Sequence, residues 1–247
     1  MADDRRRPKF TVMMPLHERV LGLDEAVESV LAQTLDDFEL VLADDGSRSP
    51  AIDRRIGAWR IDPRVRALRL PHRGPGAALN AAARVARGRY LCRLDSDDLI
   101  VPEALEVLDR HTDRGPSVGY FYSSRYVIDQ LGEIQSRHKS RPFDPALLVE
   151  RYIANPLLCW KRENFLAVGG FREEVRFAED YDLALRMAAR FEFRNVDELL
   201  YKVRYHDGGR ITTTLSEQEQ QAAEAEVRAT SGALLREVLA TRQAGGT

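Results

Sequence analysis

The chain has 247 residues, with 37 Lys and Arg against 39 Asp and Glu, for a formal net charge of −2. That balance argues against general nucleic-acid binding, which shows a basic excess, while 44% hydrophobic residues is an ordinary share for a packed core. No apolar run approaches the ~20 residues that span a bilayer, and the N-terminus up to Lys9 is polar and arginine-rich with no signal-peptide-like segment behind it, so the expected location is the cytoplasm.

In chain order, residues 1–9 read as a disordered basic tail. Residues 10–14 form an apolar strand that Pro15 is expected to stop. Residues 21–31 carry apolar side chains at a helical period, and 38–43 form a continuous apolar run, typical of a parallel strand covered on both faces. A helix at 51–59, a strand at 65–70, an alanine-rich helix at 76–86, a strand at 90–94 and a helix at 103–110 follow. This alternation predicts an α/β fold, a Rossmann-like mainly parallel sheet with helices on both faces, whose ligands bind beyond the carboxyl ends of the strands.

The second half is more mixed. Residues 118–128 read as extended chain, Gly132 as a turn, 135–142 as a polar and basic loop, and 155–160 as a strand. Residues 179–191 read as a helix with Leu183, Met187 and Phe191 on one face, and 193–196 and 200–205 as closing strands. From Leu215 the composition turns to glutamine, glutamate and alanine with a partial apolar stripe. That pattern predicts a helical arm packed on the domain or on a second chain, which leaves a homodimer through the arm open. The domain is placed at 10–210, and the arm with a disordered end at 211–247.

Asp95-Ser96-Asp97-Asp98 directly follows the strand at 90–94. Three carboxylates so close at a buried strand end repel one another, and a hard divalent cation with oxygen ligands would offset that cost. An exposed acidic turn that caps the next helix is the plainer alternative. Cys92 and Cys159 show neither metal spacing nor a disulfide framework, and the five histidines form no paired motif, so zinc chemistry is not expected.

Several segments occur in a fixed order: Met13-Met14-Pro15-Leu16-His17-Glu18; Leu42-Ala43-Asp44-Asp45-Gly46-Ser47; His72-Arg73-Gly74-Pro75-Gly76-Ala77-Ala78-Leu79-Asn80; the acidic cluster; Val168-Gly169-Gly170-Phe171; and Phe177-Ala178-Glu179-Asp180-Tyr181-Asp182. From about Phe10 to Tyr205 the chain resembles the GT-A fold glycosyltransferases of family 2. The resemblance implies an inverting, metal-dependent transfer of a sugar from a nucleotide diphosphate sugar (UDP first, GDP or dTDP open) to a hydroxyl acceptor.

By that resemblance Asp45 accepts a hydrogen bond from the base, and Pro15, Leu16, His17 and Glu18 wall the base and ribose. Asp97 binds Mn²⁺ or Mg²⁺, with Asp95 on the ribose or the metal. Asp180, paired with Glu179, is the catalytic base. Arg204, His206 and Arg210 are candidates near the phosphates, with His206 also a candidate metal ligand. His72 and Leu79 stand where the family usually has asparagine and arginine, and Arg73 is the substitute cation. Tyr122, Arg125, Trp160 and Lys161 are expected to line the acceptor, Trp160 because sugar rings stack on aromatics, with a core position for Trp160 as the open alternative. The absence of a Gln-x-x-Arg-Trp motif and of membrane helices favours single addition over processive synthesis. The alternatives are a nucleotidyltransferase, disfavoured because Pro15-Leu16-His17-Glu18 replaces a glycine-rich basic loop, and a non-catalytic sugar-nucleotide binding protein.

Overall fold

A computed structural model of the protein describes residues 7–205 and 216–244. Four parallel strands lie side by side in the order β3 (Val65–Arg69), β2 (Phe38–Asp44), β1 (Phe10–Leu16) and β4 (Tyr90–Arg93). β1 and β2 are buried nearly throughout, as their continuous apolar runs require when helices cover both faces. On one face pack α1 (Leu23–Leu31), α2 (Pro50–Trp59) and, further on, α4 (Ala104–Arg114), which supply Leu23, Val27, Ile52, Leu105 and Leu108 to one core. On the other face α3 (Pro75–Val85) presents Ala78, Leu79 and Ala82.

Pro15 does not stop β1. The ladder between β1 and β4 ends at Met13, whereas the ladder to β2 continues through Leu16. Met13 gives its carbonyl to Leu94 on the β4 side and Leu16 gives its own to Asp45 beyond β2. By alternation the nitrogen of Pro15 faces the side where pairing has already ended, so its missing N–H costs nothing.

Beyond β4 the sheet becomes mixed. β5 (Leu99–Ile100), β6 (Val118–Ile128), β7 (Ile134–His138), β8 (Cys159–Lys161) and β9 (Glu192–Arg204) extend it in the order β4-β8-β6-β9-β5, with β7 paired to β6 at the side. β8 runs antiparallel to both β4 and β6, and β6 and β9 run parallel. The predicted loop at 135–142 thus contains an edge strand, β7, whose exposed polar side chains carry no apolar alternation. The two predicted closing strands are one strand, β9, with register shifts opposite Ser123–Arg125.

Three further helices, α5 (Pro145–Glu150), α6 (Arg162–Ala167) and α7 (Glu179–Ala188), cover the α3 side of the sheet, and α8 (Glu217–Ala244) lies over α5 and α7. Val227 and Leu235 of α8 are buried in the same core as Leu148, Leu185 and Met187, so the arm packs on its own domain. Lys9 falls outside the predicted tail, because its ammonium pairs with Asp109 and Asp113 of α4. Among the described residues no helix is long and apolar enough to cross a membrane.

Candidate functional site

The segments that follow β1, β2 and β4 converge at the carboxyl edge of the parallel strands. Glu18 donates its N–H to Ser47 Oγ at 3.0 Å, and its carboxylate accepts the Arg48 N–H at 2.6 Å. Gly46 turns the chain with φ 77°, and a Cβ there would come within 2.8 Å of the His72 nitrogen, so only glycine fits. Asp44 is fully buried; one carboxylate oxygen accepts the Ser47 N–H at 2.9 Å and the other has no hydrogen-bond partner.

Asp45 is spent largely on the neighbouring loop. Its carboxylate accepts the N–H groups of Arg73 and Gly74, each at 2.8 Å, and lies 2.9 Å from His72 Nδ1. An ionised carboxylate offers about four acceptor sites; three are engaged here, and Asp45 is 3% exposed. The His72 ring stacks on His17, with centroids 4.0 Å apart. Pro15 is partly buried and His17 and Glu18 are exposed at this rim, but the Leu16 side chain is in the core and offers no wall to a ligand. The Arg73 guanidinium turns away to Glu173 and lines a separate cavity of about 590 Å³ with Asn80, Phe165, Gly170 and Phe171. None of Asp45, Asp95, Asp97 or Asp180 lines that cavity.

The acidic cluster divides its labour. Asp98 is buried, accepting the Tyr201 hydroxyl at 2.9 Å and the Arg204 N–H at 2.7 Å, so it braces the loop from behind. Arg204 is 1% exposed. Its guanidinium donates to the Asp97 and Gln130 carbonyls and pairs with Glu25, which makes it an interior strut rather than a phosphate contact. His206 and Arg210 lie outside the described residues. Asp95 and Asp97 are only partly buried. Asp97 pairs with the Arg19 guanidinium, and Asp95 with Arg93 at 2.9 Å.

The donor set fits a hard cation shared with a substrate. Among the described residues no three Asp, Glu, His or Cys side chains form a complete cage. Mg²⁺ is commonly held by one or two carboxylates together with substrate phosphates, which two aspartates at a strand end can supply. The guanidinium on Asp97 shows that this carboxylate already receives positive charge in the fold.

Opposite the loop stands the N-terminus of α7. Ala178 takes a left-handed conformation, φ 59° and ψ 29°, unusual for a residue with a Cβ, and it sets Glu179 and Asp180 in the first turn. Glu179 is buried and accepts Arg93 Nη1 at 3.0 Å. Asp180 accepts the Tyr181 N–H at 2.8 Å. Burial first, then the Glu179 carboxylate, push the Asp180 carboxyl up to about 7, while Arg93 and the Tyr181 N–H offset part of the rise. A buried salt bridge anchors the helix: Arg186 pairs with Asp182 at 2.8 Å and donates to the Val168 and Gly170 carbonyls. Gly170, at φ 67°, leaves room for Asn80, which bonds both backbone groups of Phe171.

The acceptor expectation needs correction at both named residues. Trp160 is 0% exposed, edge-to-face with Tyr120 and Phe171 and tilted against Phe165, so its ring has no face for a sugar. Lys161 pairs in register with Tyr90, at the far end of β4 from Asp95. Tyr122 and Arg125 are likewise engaged, bonding the Arg141 carbonyl and Asn155. Sequence reading passed over Arg93 and Arg19, whose only signal was a cation next to or facing the acidic segments.

Residues 11–167 match the family described as Glycosyl transferase family 2. The chain is 28% identical over 202 residues to a chondroitin synthase of Escherichia coli, covering 80% of this chain and 29% of that protein. It is 26% identical over 213 residues to an uncharacterized glycosyltransferase of Methanocaldococcus jannaschii, covering 83% of this chain and 73% of that one. The chain thus spans under a third of the chondroitin synthase. The structure of S. aureus TarS 1-349 in complex with UDP-GlcNAc superposes with a TM-score of 0.74 at 19% identity, over 94% of this chain and 71% of that one, a likeness of fold.

Proposed function

The chain belongs to glycosyl transferase family 2, and from that premise we propose that it transfers one sugar from a nucleotide diphosphate sugar to a hydroxyl acceptor, with inversion at the anomeric carbon. The observation that carries this reading is the placement of Asp180 in the first turn of α7, directly after Glu179, which Arg93 ties to Asp95 of the acidic loop, with burial raising the Asp180 carboxyl to about 7. A general base works best when its pKa lies near the operating pH.

In the proposed reaction the acceptor oxygen attacks the anomeric carbon as its proton passes to an Asp180 oxygen. The bond from that carbon to the diphosphate oxygen breaks, and both electrons leave with the nucleoside diphosphate. Attack from the face opposite the leaving group inverts the centre. Glu179 is held beside the base by Arg93 and keeps the Asp180 carboxyl raised. Asp97 and Asp95 would hold Mn²⁺ or Mg²⁺, which when bound offsets the negative charge growing on the departing diphosphate. Asp45 holds the 72–74 loop and gives its remaining acceptor site to the imide N–H of the base, with Pro15, His17 and Glu18 at the rim. UDP is the proposed nucleotide, supported by the UDP-GlcNAc and UDP in the TarS structures of like fold. Single addition is the proposed mode, because the chain carries no Gln-x-x-Arg-Trp segment.

A thermal-shift screen of UDP, GDP and dTDP, each with and without Mn²⁺, tests the donor. Ligand that binds only the folded state stabilises it by RT ln(1 + [L]/Kd). The largest shift is expected for UDP with Mn²⁺. No shift with any nucleotide contradicts the reading.

A further inference from the structure

Arg93 ends β4 with its side chain 14% exposed, and it makes two charged contacts at once. Nε donates to Asp95 Oδ1 at 2.9 Å, and Nη1 donates to Glu179 Oε1 at 3.0 Å. The two carboxylates belong to different parts of the site. Asp95 lies in the acidic loop after β4, and Glu179 begins α7, directly before Asp180. Burial works against the charge of the guanidinium, yet Asp95, Glu179 and Asp180 more than offset it and hold it protonated.

A guanidinium is a rigid planar fork, so two carboxylates bonded to its separate nitrogens are fixed in distance and direction from each other. Lysine has the charge without the fork.

We propose that Arg93 is a positioning residue that sets the acidic donor loop against the helix carrying the base, through Asp95 on one arm and Glu179 on the other. This rests on the transferase reading above. Arg93 touches neither sugar nor leaving group. Its work is to keep Asp180 in line with an anomeric carbon whose place is fixed from the loop side. An error of about 1 Å in such an alignment costs about 100-fold in rate.

The test compares wild type, Arg93→Lys, Glu179→Gln and the double variant. UDP affinity with Mn²⁺ is read by calorimetry, hydrolysis of a nucleotide-sugar panel by turnover, and fold by circular dichroism. Arg93→Lys is expected to keep its fold and its UDP affinity within about threefold while kcat falls about 10- to 100-fold. In the Glu179→Gln background the same change should add little further loss, because the charge-assisted arm of the bridge is already gone. Near-normal turnover in Arg93→Lys, equal losses of affinity and turnover, or losses that multiply in the double variant would each overturn the proposal. If Arg93→Lys does not fold, Glu179→Gln reads the link from its other end above about pH 7, where Asp180 is ionised with or without the Glu179 charge: turnover lost there with UDP affinity kept supports the link, and turnover restored there, or parallel losses, overturn it. A wild-type protein that binds no UDP and hydrolyses no nucleotide sugar overturns the transferase reading, and this proposal with it.

Discussion

Ser231 Oγ donates to the fully buried Asp182 carboxylate at 2.5 Å, which ties the last helix to the helix that opens on Asp180. Asp182 also pairs with Arg186 and Arg172, and Arg186 in turn holds the backbone of the Gly169-Gly170-Phe171 turn. Hydrogen bonds to charged groups contribute about 1.5–3 kcal/mol. Ser231→Ala should lower unfolding stability by about that amount in a denaturant titration. Unchanged stability would show that α8 is held by its apolar packing and other contacts without this bond.

Asp97→Asn should leave the fold intact, because asparagine keeps the shape and an acceptor oxygen for the Arg19 guanidinium. Nucleoside diphosphate binding should lose its dependence on Mn²⁺. Calorimetry that finds the same enhancement by Mn²⁺ in the variant contradicts the assignment of Asp97.

Asp45→Ala removes the acceptor for two backbone N–H groups as well as the proposed base contact. UDP binding should weaken by about 1.5–3 kcal/mol, and the melting temperature should fall as the 72–74 loop loses its anchor. A lower melting temperature with an unaltered Kd would make Asp45 a loop residue only.

The pH dependence follows from Asp180. Its carboxyl titrates at about 7 in the folded protein and near 3.9 in an unfolded chain. Between those values the folded state holds a proton that the unfolded state has lost, so stability declines as pH rises from about 4 and the full penalty is reached above about 7. Asp180→Asn lifts that penalty, so its gain in melting temperature over wild type should be greater at about pH 8 than at about pH 5. In the wild type kcat/KM should climb with pH through about 7, as the base form is populated. A profile flat across that range contradicts Asp180 as the base.

The parallel half of the fold was legible because its strands are apolar on both faces and its helices keep a clean period, as in β2 against α1. β7 was hidden because an edge strand exposes polar side chains on both faces. α5 and α6, six residues each, are too short to show a period. The acidic segments were legible as clusters, but their division was not: Asp98 faces inward only because Tyr201 and Arg204 of distant β9 come to meet it. Trp160 was ambiguous for a similar reason, since an aromatic beside a lysine reads the same whether the pleat turns it toward core or solvent. The raised Asp180 arises from tertiary burial, which its place at a helix N-terminus does not reveal.

The most direct test of the account is proton NMR of the first-formed sugar when the protein hydrolyses an α-linked donor such as UDP-GlcNAc in the presence of Mn²⁺, followed before the anomers equilibrate. Water then takes the place of the acceptor, so the acceptor's identity is not needed. Attack assisted by Asp180 from the face opposite the diphosphate predicts the β anomer first, and its loss in Asp180→Asn by about 10²- to 10⁴-fold in rate. An α anomer appearing first, or an Asp180→Asn protein with near-normal turnover, would contradict the account.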